Sequence, residues 1–187
     1  MMRKSTMQIQ RVRSRKKRQK RKKMTRANNL IMQRKVSREI FMKYLYSRAV
    51  SNAGWEGLSQ DLDRFLDSVE DDAIEIHKSH GGKEIDMLDS YREVILDSSY
   101  LMDAARAVEE NIGAIDAYIN EYARNWTTDT MPAVDVAILR LAVAEIKFMF
   151  TIPEVVACDE AVNIAKKYCD DDAYKYINGI LGSVMKA

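Results

Sequence analysis

Residues 132–150 read PAVDVAILRLAVAEIKFMF, and this stretch decides the fold class. Its apolar residues fall on almost every side of a helix, a pattern typical of a helix that other helices enclose. Pro132 stands at its start, where proline is tolerated because the first turn of a helix has no partner for that N–H. The stretch therefore predicts the central helix of an all-α domain.

Amphipathic patterns on both sides of this stretch predict further helices. Their apolar residues recur three and four positions apart, and breaks containing Gly, Pro, Asn or Asp separate them. The chain has only 7 glycines and 2 prolines, which argues against a β or α/β fold rich in turns. We therefore expect seven helices, at about residues 30–51, 58–76, 84–102, 103–122, 133–150, 154–168 and 173–184.

The basic residues are unevenly distributed along the chain. The first 38 residues hold 16 Lys and Arg and no acid, whereas the remaining residues hold 14 bases and all 28 acids. A cationic segment of about +16 therefore precedes a body of about −14, and such segregation usually faces a polyanion, either nucleic acid or an anionic membrane. We expect residues 1–28 to form a basic arm, disordered unless bound, and residues 29–187 to form the helical domain. Translation from Met24 or Met32 would remove most of this arm.

Other features limit the class of protein. No apolar run approaches the ~20 residues that span a bilayer, and the N-terminus lacks the apolar region of a secretory signal. Cys158 and Cys169 lie on one predicted stretch of helix and are not expected to pair, so a reducing, cytoplasmic setting is the simpler interpretation. The histidines, His77 and His80, stand beside a Gly-Gly loop without further ligands at metal-binding spacing. We expect no cofactor, no metal and no enzymatic activity.

The segment IPEVVACDEAVNIAKKYCDDDAYKYINGIL, residues 152–181, resembles the C-terminal signature of the NusB family. That signature has a proline, an acidic-Glu-Ala step, Ala-Lys, an acidic turn and a Lys-aromatic-apolar-Asn-Gly run. Here these are Pro153, Asp159-Glu160-Ala161, Ala165-Lys166, Asp171-Asp172 and Lys175-Tyr176-Ile177-Asn178-Gly179. VDVAILRLAVAE, residues 134–145, is similar to the family's central helix. Arg38-Glu39 followed by Tyr44-Leu45-Tyr46-Ser47 resembles its first helix.

The resemblance implies an all-helical fold of two packed three-helix subdomains. It also implies a transcription antitermination factor that supports ribosomal RNA synthesis. Such a factor binds a single-stranded boxA RNA together with NusE, a small-subunit ribosomal protein, and joins the elongating RNA polymerase through other Nus factors. A homodimer is a further possibility that the resemblance raises.

Family positions predict the site residues. For RNA they are Arg34, Lys35, Arg38, Lys43, Tyr46, Asp172 and Lys175, and for the protein partner Tyr46, Asp135 and Ile138. Cations at the start of helix one suit a phosphate chain, and an aromatic ring can stack on a base. Each also has a plainer interpretation, because the cations can form a solvated face, Tyr46 can belong to the core and Asp172 can cap the last helix. Arg140 and Glu145 are expected to be structural and to form an internal ion pair.

Two other functions stay open at this point. One is a helical RNA-binding module of the kind attached to ribosomal RNA cytosine methyltransferases. The other is a structural helical protein whose basic tail binds a membrane. A methyltransferase would need a nucleotide-binding pattern, which this sequence lacks.

Overall fold

The computed structural model describes residues 3–84 and 90–187, and it describes side chains from Arg26 onward. Every element in these residues is a helix, as the sequence predicts, and no strand occurs among them. The eight helices are α1 (Arg3–Val50), α2 (Leu58–Ser68), α3 (Glu70–Ser79), α4 (Tyr91–Ile95), α5 (Ser98–Tyr122), α6 (Ala133–Phe148), α7 (Glu154–Tyr168) and α8 (Ala173–Val184).

The predicted central helix is at the centre. Helix α6 packs against α1, α5, α7 and α8. All twelve residues from Asp135 to Ile146 are buried, so the helix has no solvent-facing side over three turns. Apolar residues of all eight helices join the core cluster that surrounds it.

Three helix starts follow local sequence signals. Helix α6 begins directly after Pro132 and α7 directly after Pro153. Helix α5 begins after Asp97, whose carboxylate accepts a hydrogen bond from the Tyr100 N–H at 3.1 Å. Such a cap satisfies an N–H that the helix itself leaves without a partner. These starts fix the directions in which α5, α6 and α7 enter the core.

The described residues contain eight helices where about seven are expected, and two predicted boundaries differ. The second predicted helix is divided at Val69 into α2 and α3. The predicted break near Asp103 does not exist, and α5 continues through it from Ser98 to Tyr122. A break lies earlier instead, where Leu96 and Asp97 are extended and Asp97 caps α5. Residues 85–89, in the predicted third helix, lie outside the described residues.

The Gly81-Gly82 turn after α3 has a steric cause that the sequence does not reveal. A Cβ atom at Gly82 would lie 2.2 Å from Nε2 of His77, too close for any side chain. His77 is buried and its Nδ1 has no hydrogen-bond partner. Burial lowers the pKa of His77, and the neutral ring is therefore favoured in this turn. The glycine lets the backbone close over the imidazole.

Helix α1 joins the basic arm to the body. Residues 26–31 of this helix are exposed and residues 36–42 are buried, so α1 leaves the body near Met32. The helix continues back to Arg3, which makes the arm an extension of the first core helix. The expected disorder of residues 1–28 without a bound polyanion stays a prediction.

Candidate nucleic-acid interface

The first cation of the predicted RNA-binding set is partly exposed and held by a carboxylate. Arg34 donates from Nε to Oδ2 of Asp97 at 3.0 Å, and its side chain is 35% exposed. Burial alone would raise the pKa of Asp97, but hydrogen bonds from Tyr100 and Arg34 hold it below its ordinary value. The helix cap of α5 is therefore also the counter-ion of Arg34. Arg34 thus links α1 to the start of α5.

Lys35 is the second exposed cation. Its Nζ lies 3.6 Å from Oε1 of Glu160 on α7, and 37% of its side chain is exposed. Ion pairs this exposed contribute about 0–1 kcal/mol to stability, because water screens them and the side chains lose entropy. A phosphate could therefore replace Glu160 as the partner of Lys35 at small cost.

Arg38 is not on the surface, which corrects its prediction as an RNA-binding residue. It is 4% exposed, and its Nε donates to Oε1 of Glu145 at 2.8 Å. Tyr100 donates its hydroxyl to the same oxygen at 2.6 Å. Burial and the nearby Glu145 carboxylate raise the pKa of Tyr100 well above its usual range, which keeps the hydroxyl protonated. Arg38 therefore supports α1 against α6 and cannot reach a phosphate in this arrangement.

The prediction that Arg140 and Glu145 form an ion pair is wrong, because each of them has another partner. Glu145 is paired with Arg38, whereas Arg140 makes a two-pronged contact with Asp116 at 2.7 and 2.8 Å. The Arg140 guanidinium also lies 4.4 Å from the centre of the Trp55 ring. Residues five apart on a helix point about 140° away from each other, so each found a partner on a different neighbouring helix.

Lys43 and Tyr46 lie together further along α1. Lys43 donates from Nζ to Oδ2 of Asp72 on α3 at 2.6 Å, and Tyr46 is 42% exposed. Both line an open groove of about 480 Å³. The remaining lining residues are Met42 on α1, Phe65 on α2, Val69 between α2 and α3, Asp72 on α3, Val134 on α6 and Tyr168 on α7. Because Tyr46 is exposed, it is available to a base or to a protein partner.

The other two predicted partner-binding residues are buried, which corrects that expectation. Ile138 is 1% exposed and belongs to the core of α6. Asp135 is 3% exposed and accepts a hydrogen bond from the Tyr176 hydroxyl on α8. Burial and this bond raise the pKa of Tyr176, so the hydroxyl remains the donor. Asp135 joins α6 to α8 instead of facing a partner.

Asp172 and Lys175 remain on the surface at the start of α8. Asp172 occupies the position before the helix with a left-handed φ of 76°, but its carboxylate accepts no bond from the helix backbone. It is paired with Nζ of Lys175, and both side chains are more than 60% exposed. The hydrogen bonds and ion pairs described for these two residues do not extend to α1.

Two residues beside Lys175 were missed by sequence reasoning. Tyr174 has Nζ of Lys166 at 5.1 Å and Nζ of Lys175 at 5.8 Å from its ring centre. An aromatic ring with two ammonium groups nearby suits a base that stacks while its phosphates meet the cations. The signal was present as a tyrosine next to Lys175, but Lys166 comes from α7 and only the fold brings it close.

Glu39 was also overlooked, and it holds three elements together. Its carboxylate, 4% exposed, accepts from Lys167 and from the Tyr168 hydroxyl at 2.7 Å each. His80, after α3, contacts the other oxygen at 2.5 Å. Burial alone would raise the pKa of Glu39, but these bonds lower it below its usual value. His80 thus has a carboxylate partner, and no cluster of metal-ligating residues occurs in the part of the chain that the structure describes.

The comparison with known proteins gives the family. The NusB family model matches residues 35–186. The chain belongs to the NusB family. A transcription antitermination protein NusB of Clostridium tetani is 35% identical over 156 residues, covering 83% of this chain and 99% of that protein. One of Clostridium botulinum strain Hall is 32% identical over 154 residues, covering 82% and 100%.

Solved structures share the fold. A NusB of T. maritima aligns with a TM-score of 0.57 at 25% identity, over 82% of this chain and 90% of that one. A crystal structure of the antitermination factors NusB and NusE in complex with dsRNA aligns with a TM-score of 0.53 at 24% identity, over 82% and 96%. Both contain the all-α fold described above. The arm precedes the matched residues.

Proposed function

We propose that this NusB-family chain is a transcription antitermination factor that binds a boxA-type single-stranded RNA together with NusE and supports ribosomal RNA transcription. The observation that carries this proposal is the family match, which extends over nearly the whole body. The curated relatives matched along their full length are antitermination proteins. The complex reaches elongating RNA polymerase through other Nus factors.

The exposed part of the predicted site suits RNA. Arg34 and Lys35 are each about one-third exposed in ion pairs that phosphates can replace. Tyr46 and Tyr174 offer aromatic faces beside the cations Lys43 and Lys175. Single-stranded RNA is typically bound in this manner, by stacking on aromatic rings and by neutralising phosphates. Arg38 contributes by positioning α1 instead of by contact.

NusE is proposed as the protein partner. The solved structure of NusB and NusE in complex with dsRNA shares the fold, and NusE is the partner of that protein. On this chain, the groove beside Tyr46 is the surface we assign to NusE, because it is open, mainly apolar and lies on α1 next to the cations. Asp135 and Ile138 are buried in α6 and are not among the residues that line this groove.

Two further points belong to the same proposal. We expect no catalysis, since the relatives are named for antitermination, and we expect the protein to act in the cytoplasm, where nascent transcripts are found. The described residues contain no helix long and apolar enough to cross a membrane. The family match to complete NusB proteins also favours this function over the methyltransferase-attached module.

The test is a binding series with a boxA RNA, with and without NusE, at several salt concentrations. We expect tighter and sequence-selective binding when NusE is present. Equal affinity for a scrambled RNA, unchanged by NusE, would contradict the proposal. The molar mass is recorded in each state, because a homodimer is also among the assemblies that we expect.

Variants locate the site. Arg34→Gln with Lys35→Gln should weaken boxA binding about tenfold, since two phosphate contacts are lost. Arg64→Gln is the control. Arg64 is 88% exposed on α2, and its replacement by Gln removes the same kind of charge. If Arg64→Gln weakens binding as strongly as the pair, the cations at the start of α1 are not the site.

A further inference from the structure

The cations of the body at the predicted site already have carboxylate partners. The ion pairs are Arg34 with Asp97, Lys35 with Glu160, Arg38 with Glu145 and Lys43 with Asp72. Residues 39–187 moreover hold 14 bases against 28 acids. The body therefore offers little unbalanced positive charge, and as a whole it repels a polyanion.

The arm has the opposite character. Residues 1–28 contain 13 Lys and Arg and no acid, so the segment cannot neutralise itself. The family match begins only at residue 35, and the C. tetani relative is covered almost completely by 156 residues of this chain. The arm is therefore an addition to the matched domain, and the excess of positive over negative residues in the protein lies there.

The backbone places this charge next to the predicted site. Helix α1 contains both the arm and the cations Arg34 and Lys35, and it leaves the body near Met32. At a rise of 1.5 Å per residue, the 26 residues from Arg3 to Asn28 extend about 40 Å. RNA bound at the start of the body would therefore continue along the arm.

The charge spacing favours one kind of nucleic acid. Residues 11–26 hold 11 bases, and over 16 helical residues this amounts to about one charge per 2.2 Å. A double helix carries about one phosphate charge per 1.7 Å of its axis, and one of its strands about one per 3.4 Å. The charge spacing of the arm is closer to that of the duplex. Along one strand, the arm would carry more cations than the strand has phosphates.

A membrane is the weaker candidate for the arm. Helices that lie on lipid need one continuous apolar face opposite the basic one. Residues 11–26 contain only Val12 and Met24 as apolar residues, and they do not form such a face. Charge attraction to lipid headgroups would remain, without the apolar burial that strengthens it.

We propose that the arm is a second RNA-binding element, which holds a base-paired stem that adjoins the single-stranded segment bound by the body. This inference rests on the proposed function for the neighbouring single strand. The arm supplies most of the salt-dependent affinity, and the body supplies sequence selectivity. Stem binding uses the phosphate backbone, so it does not depend on the sequence of the stem.

The test uses the full chain and three RNAs: boxA alone, boxA with an adjoining hairpin, and the hairpin alone. A six-residue variant replaces Lys16, Lys17, Lys20, Arg21, Lys22 and Lys23 with Gln. The matched control exchanges Lys and Arg at the same six positions and keeps the charge. We expect the hairpin to raise affinity about tenfold or more for the natural chain and the control.

The six-residue variant should lose this gain. Its slope of log K against log salt should be shallower by about 5, because six duplex contacts each contribute about 0.9. An unchanged gain in the six-residue variant overturns the proposal, as does loss of the gain in the charge-preserving control. Tighter binding to vesicles of phosphatidylcholine and phosphatidylserine than to the hairpin RNA would also overturn it.

The RNA set separates failure of this inference from failure of the proposed function. If boxA alone binds selectively with NusE but the hairpin adds nothing, the arm proposal fails and the antitermination function stands. If the hairpin binds through the arm while boxA and its scrambled form bind equally, the function fails and the arm proposal stands.

Discussion

The buried pair of Arg38 and Glu145 gives the sharpest prediction, because sequence reasoning assigned Arg38 to RNA. Arg38→Met keeps an unbranched apolar side chain in place of the aliphatic part of Arg38 but removes the charged guanidinium. The carboxylate of Glu145, 1% exposed, is then left in the core with only the Tyr100 hydroxyl as a donor. Breaking a buried pair from one side costs about 3–5 kcal/mol. At about 2–4 °C per kcal/mol for this size, the melting temperature should fall by about 10 °C.

The pH dependence identifies the cause. Burial raises the pKa of Glu145, and Arg38 opposes this rise. Without Arg38, the folded-state pKa of Glu145 lies further above the unfolded-state value. The folded state then binds the proton more tightly, so the variant should be most stable near pH 4 and should lose stability as pH rises towards 8. Adding Glu145→Gln should remove that loss and recover about 2 kcal/mol or more.

The assay is urea unfolding followed by circular dichroism at several pH values, for both single variants and the double variant. RNA binding is measured only under conditions in which each variant is folded. If Arg38→Met unfolds within 0.5 kcal/mol of the natural chain and still abolishes boxA binding, Arg38 is a surface contact and the described burial is wrong.

Three other predictions follow from single contacts. Glu39→Gln should lower the free energy of unfolding at neutral pH, because three donors lower the pKa of Glu39 in the natural chain. The natural chain loses this contribution as pH falls below about 4. Urea unfolding at pH 7 and pH 3 measures the difference, and an equal loss at both pH values would contradict this cause. Gly82→Ala should lower the free energy of unfolding by about 1–3 kcal/mol, because the new Cβ meets the His77 ring. Adding His77→Ala to the same chain should relieve this clash. If Gly82→Ala alone is as stable as the natural chain in the same urea unfolding assay, the turn does not bring Gly82 against His77. Tyr46→Ala should weaken the binding of NusE and of boxA RNA about tenfold without changing the free energy of unfolding, since Tyr46 is exposed. A loss of stability instead would indicate that the ring is structural.

The fold could largely be predicted from the sequence. The apolar run from Val134 to Ile146 and the prolines before α6 and α7 are local signals, and the structure uses them locally. The differences in helix boundaries arose where the signal is tertiary. Periodicity continues through Val69 and is weak near Asp103, whereas the actual break at Asp97 depends on a side-chain cap.

The candidate site could be predicted only by position along the chain. Helical spacing placed Arg34, Lys35 and Arg38 together on α1. Arg38 nevertheless faces inward, because it pairs with Glu145 of α6, which also accepts a hydrogen bond from Tyr100 of α5. Asp135 is buried against Tyr176 of α8, and Ile138 is buried in the apolar core around α6. Conversely, Lys166 beside Tyr174 was missed because no sequence spacing connects α7 to α8. Burial and partners are properties of the assembled helices.

The enclosure of α6 has a consequence for the opening motions of the protein. Because residues 135–146 touch other helices on every side, none of their backbone amides can reach water through a fluctuation of one neighbour. In native-state hydrogen exchange, these amides should exchange only when the whole domain unfolds, at a free energy equal to the global one. The short helix α4, five residues long, should open well below it. Deuterium uptake along α6 therefore reports the stability of the entire core from one peptide.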